Sequence, residues 1–215
     1  MMYEYIFFDL DGTLTDPGIG ITNSVAHALT RFGIEVPPRQ ELYKFIGPPL
    51  KESFAVYYGM SAADSDLALK YYREYYADKG IFENAVYDGI PELLSSLLEK
   101  GKRIVLATSK PELYAVRILE HFDLKKYFHF TAGADMAETR VEKADVIAYA
   151  LDGCRLVDKK DRVLMIGDRK HDILGAAAHG IDALGVTFGY GSEKELLSAG
   201  AKYIAHSPRE IIDII

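Results

Sequence analysis

The chain has 215 residues, with 25 Lys and Arg against 32 Asp and Glu for a net charge of −7, and 49% of its residues are apolar. This is the composition of an ordinary globular protein, and an acidic excess with no long Lys/Arg cluster excludes a nucleic-acid backbone or an anionic membrane as the main partner, since either needs a basic footprint. The single cysteine, Cys154, excludes a disulfide framework within the chain and reads as an inert thiol in a reducing compartment.

The opening Met1-Met2-Tyr3-Glu4-Tyr5 carries no basic stretch, and the apolar run behind it is broken by Asp9 and Asp11. A cytoplasmic protein is therefore expected, with neither a signal peptide nor a membrane span. Tyr5-Ile6-Phe7-Phe8 reads as a buried strand stopping at the turn Asp9-Leu10-Asp11-Gly12. Residues 19–82 then look helical throughout. Ile21, Val25, Ala28, Leu29 and Phe32 recur at helical spacing before Gly33, and Pro37-Pro38, Gly47-Pro48-Pro49 and Gly59 cut the block into three or four short helices. From Asp88 onward strands and helices alternate. Strands are predicted at 103–107, 128–132, 162–166, 183–187 and 203–204, and helices near 91–100, 111–121, 141–151, 170–179, 193–199 and 208–214. This alternation implies βαβ units around a parallel sheet, so the helical block is an insertion after the first strand. The predicted core is 1–14 with 88–215, and the predicted insertion is 15–87.

In an open parallel sheet, ligands bind beyond the carboxyl ends of the strands. Those positions hold Asp9 and Asp11, then Thr108 and Ser109, then Gly167-Asp168 with Asp172 four residues on, while Lys143 opens the helix before the last of these strands. Carboxylates converging on one sheet edge repel each other unless a cation sits among them, and hard oxygen ligands suit Mg²⁺. Such an ion shares its remaining positions with waters and a phosphate. A carboxylate can then attack phosphorus, with Lys143 and the Thr108-Ser109 hydroxyls and N–H groups screening the charge, while Asp11 is placed to give and take the proton.

The order Asp9-Leu10-Asp11-Gly12-Thr13-Leu14, then Thr108-Ser109, then Lys143, then Gly167-Asp168-Arg169-Lys170-His171-Asp172 resembles the haloacid dehalogenase-like hydrolase superfamily over essentially the whole chain. The resemblance implies an α/β fold, a Rossmann-like parallel-sheet core carrying a small inserted α-helical cap. It implies that Asp9 is the nucleophile and a Mg²⁺ ligand, and that Asp11 is the general acid and base and lends its backbone carbonyl to the metal. It further implies that Thr108 and Lys143 bind the transferring phosphoryl group, with Ser109 beside them as the residues themselves suggest, that Asp168 completes the metal site, and that Asp172 supports it. Lys143 lacks the proline that often follows this lysine in relatives.

Asp11 separates the chain from dehalogenase and phosphonate-cleaving relatives, which lack an acid there. The inserted cap looks most like the phosphoglycolate phosphatase and 5′-nucleotidase group, which implies hydrolysis of a small phosphorylated metabolite. A phosphosugar mutase or other phosphoryl transferase is the alternative within the superfamily. A receiver-like signalling module is disfavoured, because receivers carry no insertion after their first strand. Within the insertion, Lys51 behind Gly47-Pro48-Pro49 is the candidate for specificity, and the aromatic cluster from Tyr43 to Tyr76 reads mainly as core. The sequence leaves the oligomeric state open.

Overall fold

A computed structural model describes residues 3–137 and 139–215. In chain order, β1 (Tyr5–Phe8) is followed by β2 (Thr15–Asp16), α1 (Gly18–Arg31), α2 (Arg39–Leu42), α3 (Leu50–Tyr58), α4 (Ala62–Tyr76) and β3 (Ala85–Val86). Alternation begins there, with α5 (Ile90–Glu99), β4 (Arg103–Pro111), α6 (Glu112–His121), β5 (Phe128–Ala134), α7 (Lys143–Gly153) and β6 (Val163–Gly167). It continues through α8 (Lys170–Ala178), β7 (Asp182–Val186), α9 (Glu193–Ser198), β8 (Tyr203–Ala205) and α10 (Pro208–Ile214).

The six expected strands form one sheet in the order β5-β4-β1-β6-β7-β8, and every neighbouring pair is parallel. Parallel sheets are covered on both faces, which explains why β1 and β6 are apolar runs without alternation. Tyr5, Phe7, Val105, Met165 and Val163 face one layer of the core with Val146, Ile147 and Ala150 of α7 and Ile173 and Ala176 of α8. The intervening Ile6, Phe8, Ile104, Leu106, Leu164 and Ile166 are equally buried. The chain leaves β1 toward β4 and β5, then crosses to β6 and continues outward to β7 and β8. The strand order therefore reverses between β1 and β6, and a ligand crevice is expected beyond their carboxyl ends.

The chain divides into two compact units, one ending at Thr15 and resuming over Val86–Ile215, the other Asp16–Ala85. The second unit is a helical bundle with its own core, in which Phe54 is fully buried and Phe45, Tyr72 and Tyr76 nearly so. The Phe45 ring lies 5.0 Å from that of Phe54, and Tyr72 stacks on Tyr76 at 5.2 Å. Close backbone packing fixes α1 against the 80–82 turn: a Cβ on Gly20 would come within 1.9 Å of the Gly80 carbonyl.

The structure departs from the sequence expectation in two places. β2 and β3 pair as a two-stranded sheet at the two crossings between the units. Strands of two residues are too short to show any periodicity. β4 runs on to Pro111 instead of stopping at Ala107, through an irregular pairing with β5 between Thr108 and Pro111.

Candidate active site

Asp9 is the first residue beyond β1, and its N–H donates to the Ile166 carbonyl at 2.9 Å, which fixes the backbone against β6. The chain then doubles back. The Leu10 carbonyl accepts from Leu14 at 2.8 Å and from Thr15 at 3.0 Å, and Gly12 takes φ = +80°, a conformation that favours glycine. This turn sets Asp11 beside Asp9 and brings the Thr13 hydroxyl to 3.4 Å from Asp168 Oδ1.

Asp168 follows β6 and is fully buried. Its Oδ2 accepts the Tyr190 N–H at 2.8 Å. Asp172 stands in the first turn of α8, where its Oδ2 accepts the Arg169 N–H at 3.0 Å as half of a capping box. One oxygen from each of Asp9, Asp168 and Asp172 falls within 4.8 Å of the others. Lys143, the buried first residue of α7, places Nζ 2.8 Å from Asp9 Oδ1, 2.8 Å from Asp172 Oδ1 and 3.0 Å from the Ala107 carbonyl.

Burial and crowding act on these acids together. Burial, followed by repulsion from Asp172 and Asp9, pushes the Asp168 carboxyl well above the usual carboxylate range. Burial raises Asp172 to about 6, the Lys143 ammonium opposing and Asp9 reinforcing the rise. Burial also disfavours the Lys143 charge, but Asp172 and Asp9 more than offset it and hold the ammonium above the ordinary lysine range. Lys143 pairs with Asp9 and Asp172 and Lys110 pairs with Asp11, so with Asp168 counted and all four carboxylates ionised, two negative charges are left uncompensated. The deficit equals one divalent cation. An all-carboxylate donor set, buried and short of positive charge, fits a hard divalent ion.

Thr108 is buried just past the Ala107 carbonyl that Lys143 touches, and Ser109 beside it is partly exposed. Lys51 belongs to the helical unit, where its Nζ pairs with Asp66 Oδ1 of α4 at 2.5 Å.

Two features escaped the sequence reading. Lys110, to which the sequence assigned no role, donates to Asp11 Oδ2 in a close ion pair. The second is the Gly189-Tyr190-Gly191 loop after β7. A Cβ on Gly189 would lie 2.2 Å from the Gly12 carbonyl, and one on Gly191 would lie 1.9 Å from the Asp168 carbonyl. Two glycines flanking one residue were the only available signal.

A family model described as haloacid dehalogenase-like hydrolase matches residues 6–186. The chain belongs to this family. A protein of Pseudomonas aeruginosa named 5′-nucleotidase is 45% identical over 91% of this chain and 88% of its own length. A protein of Mycobacterium tuberculosis named tyrosine-protein kinase PtkA is 40% identical over 95% of this chain and 69% of its own length. The crystal structure of a predicted phosphatase from Clostridium acetobutylicum superposes with a TM-score of 0.96 at 46% identity, covering 100% of this chain and 98% of that one. As a member of this hydrolase family, the chain carries Asp9 and Asp168 just beyond the carboxyl ends of β1 and β6.

Proposed function

We propose that the chain is a Mg²⁺-dependent phosphomonoester hydrolase that acts on a small phosphorylated metabolite through an aspartyl-phosphate on Asp9. A nucleoside 5′-monophosphate is the first candidate substrate, supported by the name of the 45% identical relative, and phosphoglycolate is the second. The observation that carries this reading is the convergence of Asp9, Asp168 and Asp172 on one point beside Lys143, with Asp11 two residues from Asp9.

Asp9, Asp168, Asp172 and the Asp11 backbone carbonyl would hold the metal. Bound there, Mg²⁺ supplies charge neutralisation on the phosphoryl oxygens and lowers the repulsion met by an anionic nucleophile. A carboxylate oxygen of Asp9 forms the bond to phosphorus as the ester P–O bond breaks, and Asp11 gives its proton to the departing oxygen. A water then attacks the same phosphorus and loses a proton to Asp11 as the Asp9–phosphorus bond breaks. Lys143 neutralises Asp9 and Asp172 throughout, and Thr108 and Ser109 offer hydroxyl and N–H donors to the phosphoryl oxygens. Residues 15–87 as the cap are proposed on the family resemblance, and Lys51 as its specificity contact on the stiff Gly47-Pro48-Pro49 turn that precedes it.

The test is kcat/KM across nucleoside 5′-monophosphates, phosphoglycolate, phosphosugars and pyrophosphate in Mg²⁺. Nucleotides should rank first. Failure to hydrolyse any of these, and a generic aryl phosphate as well, overturns the reading. The kinase-named relative supports a second reading, transfer of the phosphoryl group to an acceptor other than water. It requires that substrate loss exceed phosphate release when an acceptor is supplied.

A further inference from the structure

The two oxygens of Asp11 have different surroundings. Oδ2 accepts from Lys110 Nζ, whereas Oδ1 is buried with no hydrogen-bond partner among the described residues. A buried carboxylate present only for stability is normally satisfied at both oxygens. Here one oxygen is anchored and the other left open.

The local chain explains how Lys110 reaches this place. Pro111 restricts the residue before it to extended backbone, and the Lys110 N–H donates to Thr108 Oγ1 at 3.3 Å. The pairing of β4 with β5 shifts register between Thr108 and Pro111, so Lys110 lies in the irregular part of the strand. Its side chain is only 6% exposed, and it ends on Asp11 across 99 residues of sequence. A solvated lysine would not be drawn into a buried position this way.

We infer that Lys110 is a positioning residue that anchors Asp11 by Oδ2, so that Oδ1 alone exchanges the catalytic proton. In the first half-reaction the Oδ1 proton passes to the leaving oxygen as the ester P–O bond breaks and the Asp9–phosphorus bond forms. In the second, Oδ1 takes the proton released by the attacking water as the Asp9–phosphorus bond breaks. The sum is ester plus water giving alcohol plus phosphate. Lys110 exchanges no proton. The inference rests on the proposed acid–base role of Asp11.

Leaving-group dependence separates positioning from a structural pair, because a good leaving group needs no proton at departure and a poor one does. The experiment is single-turnover release of the alcohol from 4-nitrophenyl, phenyl and alkyl phosphates in Mg²⁺, for wild type, K110M, K110R and D11N. General acid catalysis contributes about 10²–10⁴-fold, so K110M should lose about 10²-fold on alkyl phosphate and less than about 3-fold on 4-nitrophenyl phosphate. K110R, which keeps a cationic donor, should recover part of the loss. A K110M loss that is uniform across the series, or no loss, overturns the inference while a graded D11N loss leaves the role of Asp11 standing. A uniform D11N loss overturns that role and the inference with it. If K110M does not fold, K110Q against K110R gives the same comparison.

Discussion

Lys143 Nζ lies 2.8 Å from Asp172 Oδ1, and the two residues open consecutive helices on either side of β6. The same ammonium touches Asp9 across the sheet edge, so one buried cation fastens two carboxylates that would otherwise drive the strand ends apart. Removing it should therefore damage the fold as well as the chemistry. Breaking one partner out of a buried pair typically costs about 3–5 kcal/mol. Lys143→Met should lower the melting temperature by on the order of 10 °C for a chain of this length. An unchanged melt would show that the acids are compensated elsewhere.

Asp9→Asn should abolish phosphate release and leave the circular dichroism spectrum unaltered. The neutral amide keeps the shape of the side chain and cannot form an acyl phosphate. Turnover retained at the wild-type rate would remove Asp9 from the role of nucleophile.

The metal-free protein should lose stability as pH rises. Asp172 titrates at about 6 in the folded protein, and Asp168 is raised as well, against roughly 3.9 for an unfolded aspartate. An acid raised on folding binds more protons in the native state, so the Asp172 contribution falls between about pH 4 and 6 and stays low above that, while Asp168 adds a loss of the same sign. Melts in EDTA should show a negative slope over this window that Asp172→Asn flattens. Added Mg²⁺ should reverse the order, stabilising more at pH 7.5 than at pH 5, by about 2.7 kcal/mol at a hundredfold excess over its Kd. Equal metal stabilisation at both pH values would contradict carboxylate ligation.

Gly191→Ala should weaken activation by Mg²⁺. The added methyl would meet the Asp168 carbonyl at 1.9 Å, forcing the Tyr190 loop away from the acid it orients. Loss of an outer partner of a metal ligand costs about 10–100-fold in affinity. Gly180→Ala is the control, since Gly180 has φ = +69° but open space around its Cβ position. It should lower stability and leave the Mg²⁺ titration in place.

The sheet was legible because each core strand is a short apolar run ended by a turn and followed by an amphipathic helix. The acids were legible for a related reason: in a parallel sheet, residues just past different strands must gather at one edge, so Asp9 and Asp168 could be set together from sequence. Lys110 was not legible. Its burial depends on the irregular pairing of β4 and β5, and nothing in Thr-Ser-Lys-Pro announces it. Tyr190 contributes a backbone N–H, which carries no residue signature at all. Thr15 and Val86 were hidden because a two-residue ladder leaves no pattern to read.

That two-residue ladder also defines a graft point. The outgoing strand β2 and the returning strand β3 are hydrogen-bonded neighbours, and neighbouring strands lie about 4.8 Å apart. Any segment whose ends meet at that spacing can be spliced there without changing the order of the six core strands. Chimaeras that exchange residues 16–85 for the insert of another family member would then keep the Asp9, Lys143, Asp168 and Asp172 cluster intact, and any change in their substrate preference would belong to the transplanted segment.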